Sequence, residues 1–336
     1  MDYLRGRPRN FLVLFRLGVA SFLIFIFGFL LFWVASVRVG PHFQSVRQHG
    51  ADVDLARILR LCDLPKHRST IVQCLSVELK KLIPRWGLDS LMKSLTALRL
   101  VQTHQDLSVT RCHDITHQLG RMSVLLGVSM KEILTSCTEL CQSGCFHGAA
   151  VGWVAKGESI GKDFTSICLL PDIANDKKIS CIHGMGHAVT PMGLYDTKRS
   201  LSYCDTYDEK DRDNCGSGVF MELYDGTEYN NGLLRDLPPD RPAWCAQFAP
   251  PYDEVCYAQS GYFEHNRNHD LPAAIAVCRR EPLPYQFDCL TFLGKSIYFV
   301  YPLTAPQLQG IKSYCHMALP NQEEACVNVI QTDFIH

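Results

Sequence analysis

The sequence lacks an excess of charge of either sign. Its 33 lysine and arginine residues are balanced by 34 aspartate and glutamate residues, so the formal net charge is −1 at pH 7. Proteins that bind nucleic acid usually present a strongly basic face to it. We therefore expect no nucleic-acid partner for this chain.

The short motifs that usually reveal a reaction are also absent. The chain contains no Gly-x-Ser-x-Gly turn, no Walker loop, no Gly-x-Gly-x-x-Gly turn and no Cys-x-x-Cys-His haem attachment. The sequence therefore names no serine hydrolase, nucleotide-binding enzyme or cytochrome, and any site has to be found from other residues.

Long alternating runs of β-branched residues are missing as well, whereas apolar residues recur at helical spacing from Asp54 onward. This spacing predicts an all-α fold. It places helices over 55–61, over 71–82 with an end at Pro84, over 88–101 and over 130–134.

One long apolar run stands near the N-terminus. Leu17 to Val37 contains 21 residues without a charge, and about 20 apolar residues cross a bilayer as a helix. Four arginines precede the run, which favours a cytoplasmic N-terminus. A cleaved signal peptide ending near Ala35-Ser36 is the alternative.

We therefore predict four segments and a single-pass membrane protein. They are a cytoplasmic tail over 1–16, a transmembrane anchor over 17–37, a tether over 38–53 and an extracytoplasmic domain over 54–336. Sixteen cysteines suit an oxidising compartment. The absence of an Asn-x-Ser/Thr sequon favours a periplasm over a secretory lumen.

The cysteines are periodic. One series is spaced by 33 to 41 residues, and most of its members follow a second cysteine by 11 to 13 residues, which gives the pairs 62/74, 168/181, 204/215, 245/256, 278/289 and 315/326. Such a period predicts disulfide-stapled αα-hairpin repeats, arranged as a solenoid or an α/α toroid. Cys112 breaks the pattern, and its simplest partner is either Cys137 or Cys141. The alternative is that these cysteines include a pair of reduced thiols or thiolate metal ligands.

Five histidines occupy equivalent places in three adjacent repeats. Four of them form two pairs, and the members of each pair are four residues apart, the spacing that puts both rings on one helix face. The fifth, His147, lies two residues after Cys145, just as His183 lies two residues after Cys181. We expect them to bind one divalent transition metal, namely zinc, copper or iron, all of which suit imidazole. The predicted metal ligands are His113, His117, His147, His183 and His187.

Glu222 stands in the next repeat, seven residues after Cys215. At that place it can add a carboxylate to the centre, so we expect it to be a metal ligand or a general base.

Glycines accompany these histidines. Gly148, Gly184 and Gly186 fall where helices are predicted to start, and each glycine costs a helix about 1 kcal/mol relative to alanine. Close helix–helix approach is one explanation. The other is a ligand or cofactor held by free N–H groups of the helix starts, which makes these glycines candidate cofactor-binding residues.

Two resemblances accompany these patterns. The Cys-x-His-Gly elements at 144–152 and 181–188 resemble lanthionine-cyclase α/α toroids, in which such motifs point zinc ligands at a central cavity, although the Trp-Cys-x-Gly element of that family does not stand in the expected context. The cysteine-clamped pitch is similar to Sel1-like repeats of secreted bacterial proteins, which are binding scaffolds. Neither resemblance transfers a function.

The sequence thus predicts a membrane-anchored helical-repeat protein with a histidine-rich metal site, acting as a metal-dependent hydrolase or oxidoreductase. The alternative is a non-enzymatic helical scaffold that binds a peptide or protein partner, with the histidines as internal polar contacts.

Overall fold

A computed structural model describes residues 48–62, 68–101, 109–157, 166–225, 238 and 240–298, and 305–332. Within these ranges the fold is all-α, with fifteen helices and no strand. They are α1 (48–62), α2 (Arg68–Trp86), α3 (Leu88–Val101), α4 (Val109–Leu125), α5 (Met130–Ser136), α6 (Gly144–Ala155), α7 (Asn175–Met192), α8 (Thr197–Cys204), α9 (Glu209–Asp225), α10 (Arg241–Cys245), α11 (Tyr252–Asn268), α12 (Leu271–Cys278), α13 (Leu283–Tyr298), α14 (Ala305–Ala318) and α15 (Glu323–Thr332).

Several short helices begin at a side chain that caps the first turn. Ser129 caps α5, Asp196 caps α8, Asp240 caps α10 and Asp270 caps α12, each accepting a hydrogen bond from a backbone N–H three residues later. Helices α10 and α12 also carry a proline in their first two positions. These residues satisfy or remove N–H groups that have no partner within the helix, and they fix where each helix begins.

The long helices pack side by side in chain order. Helix α4 packs against α2 and α6, α7 against α6 and α9, and α11 against α9 and α13. The apolar core falls into two clusters, a larger one from α1 to α11 and a smaller one from α12 to α15. The order matters for function because it makes α4, α6, α7 and α9 consecutive neighbours in space.

Eight disulfides join the sixteen cysteines, and the six pairs predicted from the spacing are confirmed. Cys112 pairs with Cys141, and Cys137 pairs with Cys145, which decides the alternative that the sequence left open. In the six predicted pairs the second cysteine lies within a helix rather than at its start: Cys181 is the seventh residue of α7, and Cys256 is the fifth of α11. The arrangement of the helices as a repeat, solenoid or toroid stays a prediction.

Other predicted boundaries change. Helix α2 continues past Pro84 and ends at Trp86, and its residues Leu82 and Ile83 are buried in the core. The next residue, Gly87, has a φ of 78° and interrupts the helix. The predicted tether over 38–53 is helical from residue 48 onward, because Ala51 belongs to the buried face of α1, and its remainder lies outside the described residues.

The predicted localisation has to be corrected. None of the helices in the described ranges combines the length and the apolar character that a membrane crossing needs. This finding contradicts the prediction of a single-pass membrane protein with an extracytoplasmic domain. The segment predicted as its anchor, 17–37, lies outside the described residues.

Candidate metal centre

The five predicted histidines come together where three helices meet. Helix α4 carries His113 and His117, α6 carries His147, and α7 carries His183 and His187. The His147 ring lies between the two pairs, with its centroid 5.2 Å from that of His113, 4.9 Å from that of His183 and 4.7 Å from that of His187. The expected convergence of imidazoles from neighbouring helices is therefore present.

Glycines allow this convergence because they let the helices approach with their backbones in contact. A Cβ added to Gly148 of α6 would lie 2.6 Å from the carbonyl carbon of His117, and one added to Gly120 of α4 would lie 2.8 Å from the backbone nitrogen of Ala149. Real Cβ atoms do not approach backbone that closely. A larger residue at either glycine would push α4 and α6 apart and separate their histidines.

The same close packing continues to the next helices. A Cβ at Gly184 of α7 would lie 3.0 Å from the Cα of His147, and one at Gly186 would lie 2.8 Å from the Cα of Gly218 on α9. Helix–helix approach therefore accounts for Gly148, Gly184 and Gly186.

The premise of the cofactor-binding prediction is wrong for two of these glycines. Gly184 and Gly186 lie in the middle of α7, which begins at Asn175, so they offer no free N–H groups of a helix start. Contact of Gly148, Gly184 or Gly186 with a cofactor stays a prediction.

Three imidazoles are close enough to hold a metal ion. One ring nitrogen each from His147, His183 and His187 lies within 4.8 Å of the other two, and no other group of three histidine, cysteine or carboxylate side chains in the described part of the chain has this spacing. The Nε2 atoms of His183 and His187 are 3.2 Å apart. Two nitrogens bound tetrahedrally to one ion at about 2.1 Å would be about 3.4 Å apart, so this pair already has the spacing of co-ligands.

Partners on the outer side of the rings hold them in place. His187 Nδ1 is 3.0 Å from Glu222 Oε2, and His113 Nδ1 is 2.9 Å from the carbonyl oxygen of Cys141. His183 also has a hydrogen bond with the backbone of Asn214, which partly opposes the lowering of its pKa. Such partners fix which ring nitrogen carries the proton and leave the other available for a metal.

Two of these partners are backbone groups, which sequence reasoning missed. Cys141 belongs to a left-handed turn in which Cys141, Gln142 and Ser143 have φ values of 57° to 58°, directly before α6. The Cys112–Cys141 disulfide fixes this turn beside His113. A carbonyl leaves no signal in the residue type, and nothing in the sequence indicates this turn.

The environment keeps the central rings neutral. Burial, reinforced by the charges of His187, His183, His113 and His117, lowers the pKa of His147 well below its usual value. Burial and the neighbouring imidazoles likewise lower the pKa of His183, although the backbone of Asn214 opposes the shift. Neutral imidazole is the form that binds a metal.

Glu222 lies behind His187 rather than among the three close nitrogens. It is 7% exposed, and its Oε2 contacts His187 Nδ1. This is the geometry of a carboxylate that orients a ligating histidine. His113 and His117 belong to the cluster, with ring centroids 5.9 Å apart, but their ligand atoms lie outside the 4.8 Å grouping.

Comparison with known proteins adds no assignment: no protein family, no curated protein and no solved structure matches this chain. Neither the lanthionine-cyclase nor the Sel1-like resemblance finds support there. Any statement about function therefore depends on the geometry of this centre.

Proposed function

We propose that this chain is a metalloprotein in which His147, His183 and His187 bind one transition-metal ion. The observation that carries the proposal is the 3.2 Å contact between the Nε2 atoms of His183 and His187. When His187 donates its Nδ1 proton to Glu222, its Nε2 presents a lone pair toward His183 Nε2. A cation bound there takes the lone pairs of both Nε2 atoms, with His183 carrying its proton on its other ring nitrogen.

Burial supports the same proposal. His147 is 5% exposed, and its Nδ1 has no hydrogen-bond partner. A buried polar atom without a partner is destabilising in an otherwise well-packed interior. Binding through an imidazole nitrogen is a common role for such a ring in proteins.

Three imidazoles leave at least one coordination position open, which is typical of a catalytic rather than a structural ion. Zinc in such a position lowers the pKa of bound water and polarises carbonyl oxygens, whereas copper or iron would support oxidation. The side chains here contribute orientation: Glu222 holds His187, and the close packing of α6 and α7 fixes His147 against the pair. We favour zinc and hydrolysis, within a helical domain built from disulfide-stapled αα-hairpins.

The experiment is equilibrium metal binding by the full chain with its disulfides formed. The protein is stripped with a chelator, dialysed against zinc, and analysed by mass spectrometry for bound metal, alongside His183→Ala/His187→Ala. We expect stoichiometric zinc in the unsubstituted protein and at least 100-fold weaker binding in the double variant, with helicity unchanged by circular dichroism.

A matched control is available at the end of α11. His265 and His269 are also four residues apart, with ring centroids 6.2 Å apart, but they lie outside the centre. The variant His265→Ala/His269→Ala should bind zinc as the unsubstituted chain does. A folded protein that binds no zinc, copper or iron would overturn the proposal and leave the peptide-binding scaffold as the better function.

A further inference from the structure

Glu281 is a buried carboxylate in the turn between α12 and α13. The residue is 2% exposed, and neither of its carboxylate oxygens has a hydrogen-bond partner. A buried carboxylate without a partner is destabilising when it is ionised, because its charge has lost the hydration that it has in the unfolded chain. Such groups are rare in folded proteins, so this one needs an explanation.

The donors around Glu281 are engaged elsewhere. Arg241, at the start of α10, pairs with Glu264 and donates a hydrogen bond to the carbonyl oxygen of Ser260, 2.9 Å away. The hydroxyl of Ser260 lies beside Glu281 but donates to the carbonyl oxygen of Tyr257 at 3.0 Å. Neither group therefore compensates the carboxylate with a hydrogen bond of its own.

The surrounding charges do not compensate it fully either. Burial raises the pKa of Glu281 above its usual value, and the charge of Asp240 acts in the same direction. The Ser260 hydroxyl and the charges of Arg241 and Arg280 oppose this rise of the pKa without cancelling it. Folding therefore favours the protonated, uncharged form of this carboxyl group.

The turn that carries Glu281 lies where the two apolar clusters meet. Tyr257 of α11 belongs to the larger cluster, whereas Cys278 and Cys289, on either side of the turn, belong to the smaller one. Helix α11 packs against both α12 and α13, and the ring of Tyr257 stacks on that of Tyr285 of α13 with the centroids 4.6 Å apart. The cost of burying Glu281 therefore acts on the contact between the two clusters.

We propose that Glu281 makes the packing of α12 and α13 on α11 dependent on pH, so that this contact is tightest when the carboxyl group is protonated and loosens locally when the group ionises. In the unfolded chain a glutamate titrates near pH 4.3. Below that pH both states are protonated and the contact is at full strength. As the pH rises, the open state releases its proton first, so the contact weakens until the pH passes the raised pKa of the packed state. This inference concerns a contact outside the histidine cluster and does not rest on the proposed function.

The test is amide hydrogen exchange of the full chain with its disulfides formed, compared with Glu281→Gln at pH 4.5 and 7.5. Exchange in α12 and the first turns of α13 reports local opening of this contact. The readout is the ratio of the exchange rates of the two proteins at each pH, because the histidines and the intrinsic pH dependence of exchange affect both proteins alike. We expect the unsubstituted protein to exchange relatively faster at pH 7.5 than at pH 4.5, by about tenfold for each unit by which packing raises the pKa.

The matched control is Glu324→Gln, which removes an exposed carboxylate from α15 and should leave this dependence on pH as it is in the unsubstituted protein. A ratio for Glu281→Gln that stays constant, or that changes in the opposite sense, would overturn the proposal. If Glu281→Gln does not fold, titration of the Glu281 side-chain carboxyl carbon by nuclear magnetic resonance in the unsubstituted protein decides instead. A midpoint above about 4.3 supports the proposal, and a midpoint at or below it overturns the proposal.

Discussion

Glu222 contacts the proposed metal centre through His187 rather than directly. Its carboxylate lies 3.0 Å from His187 Nδ1 and is 7% exposed, so it fixes both the orientation and the proton position of that ring. A carboxylate in this position also makes the opposite nitrogen a better electron donor. The consequence for binding differs from that of a direct ligand.

Glu222→Gln should therefore weaken zinc binding about 10–100-fold without changing the number of ions bound. The amide keeps the size of the side chain but lacks the charge that stabilises the Nδ1 proton of His187. Competition with a chromophoric chelator measures the change. Complete loss of zinc would show instead that Glu222 is itself a ligand, and unchanged affinity would show that its contact with His187 has no effect.

The central imidazoles make the metal-free protein sensitive to acid. The pKa values of His147 and His183 are lowered in the folded state, whereas unfolded histidines titrate near 6.5. Above about pH 6.5 both states are neutral and stability is complete. As the pH falls further, the unfolded state takes up protons first, so the free energy of unfolding decreases.

We expect the metal-free chain to lose at most about 1.4 kcal/mol per pH unit for each of these two imidazoles below pH 6.5. Urea unfolding at pH 7.5 and 5.5, with the disulfides intact, measures the loss. His147→Gln/His183→Gln should show a smaller dependence on pH. Equal stability at both pH values in the unsubstituted protein would contradict the pKa directions.

At the level of helices, the histidine spacing was predictable and the helix registers were not. Residues four apart share a helix face, so the pairs on α4 and α7 follow from the sequence alone. The sequence placed Gly184 and Gly186 at a helix start, but α7 begins nine residues before Gly184. A polar segment after a cysteine is equally compatible with a loop and with the first turns of a helix, and tertiary packing decides between them.

A substitution at Gly148 tests this packing most directly. Gly148→Ala places a Cβ 2.6 Å from the carbonyl carbon of His117, and overpacking of this kind usually costs about 1–3 kcal/mol. We expect a loss of about 2 kcal/mol or more in the free energy of unfolding, together with weaker zinc binding, because α4 and α6 must separate.

The control is Gly310→Ala on α14. Its added Cβ would meet the ring edge of Tyr298, a side chain away from the centre, rather than backbone. Zinc affinity should be unchanged there. Equal effects of the two substitutions on zinc binding would contradict the role of close α4–α6 packing.

Across the whole molecule, the disulfide framework was the most predictable feature. Six pairs followed from their spacing, because a short loop between two helices brings its cysteines within bonding distance. Cys112 and its neighbours could not be assigned, since the left-handed turn at Cys141 has no sequence signature. The localisation predicted from the apolar run was wrong, because none of the described helices is long and apolar enough to cross a membrane.

Each disulfide should contribute to the free energy of unfolding. A disulfide far from the histidine cluster should have little effect on zinc affinity. Closing an 11-residue separation such as Cys278–Cys289 is worth about 3 kcal/mol by chain entropy. Cys278→Ala/Cys289→Ala should therefore lower stability by about that amount and leave zinc affinity unchanged. Cys112→Ala/Cys141→Ala should in addition weaken zinc binding, because the turn before α6 loses its covalent link to α4 beside His113. Unfolding titrations and zinc titrations decide both outcomes.

The central claim is that imidazoles from consecutive, closely packed helices bind a metal. X-ray absorption spectroscopy of the protein loaded with one equivalent of zinc tests it most directly. The account predicts nitrogen ligands at about 2.0–2.1 Å, with the outer-shell scattering of three imidazole rings. A sulfur shell at about 2.3 Å, or an oxygen shell without imidazole scattering, would contradict it.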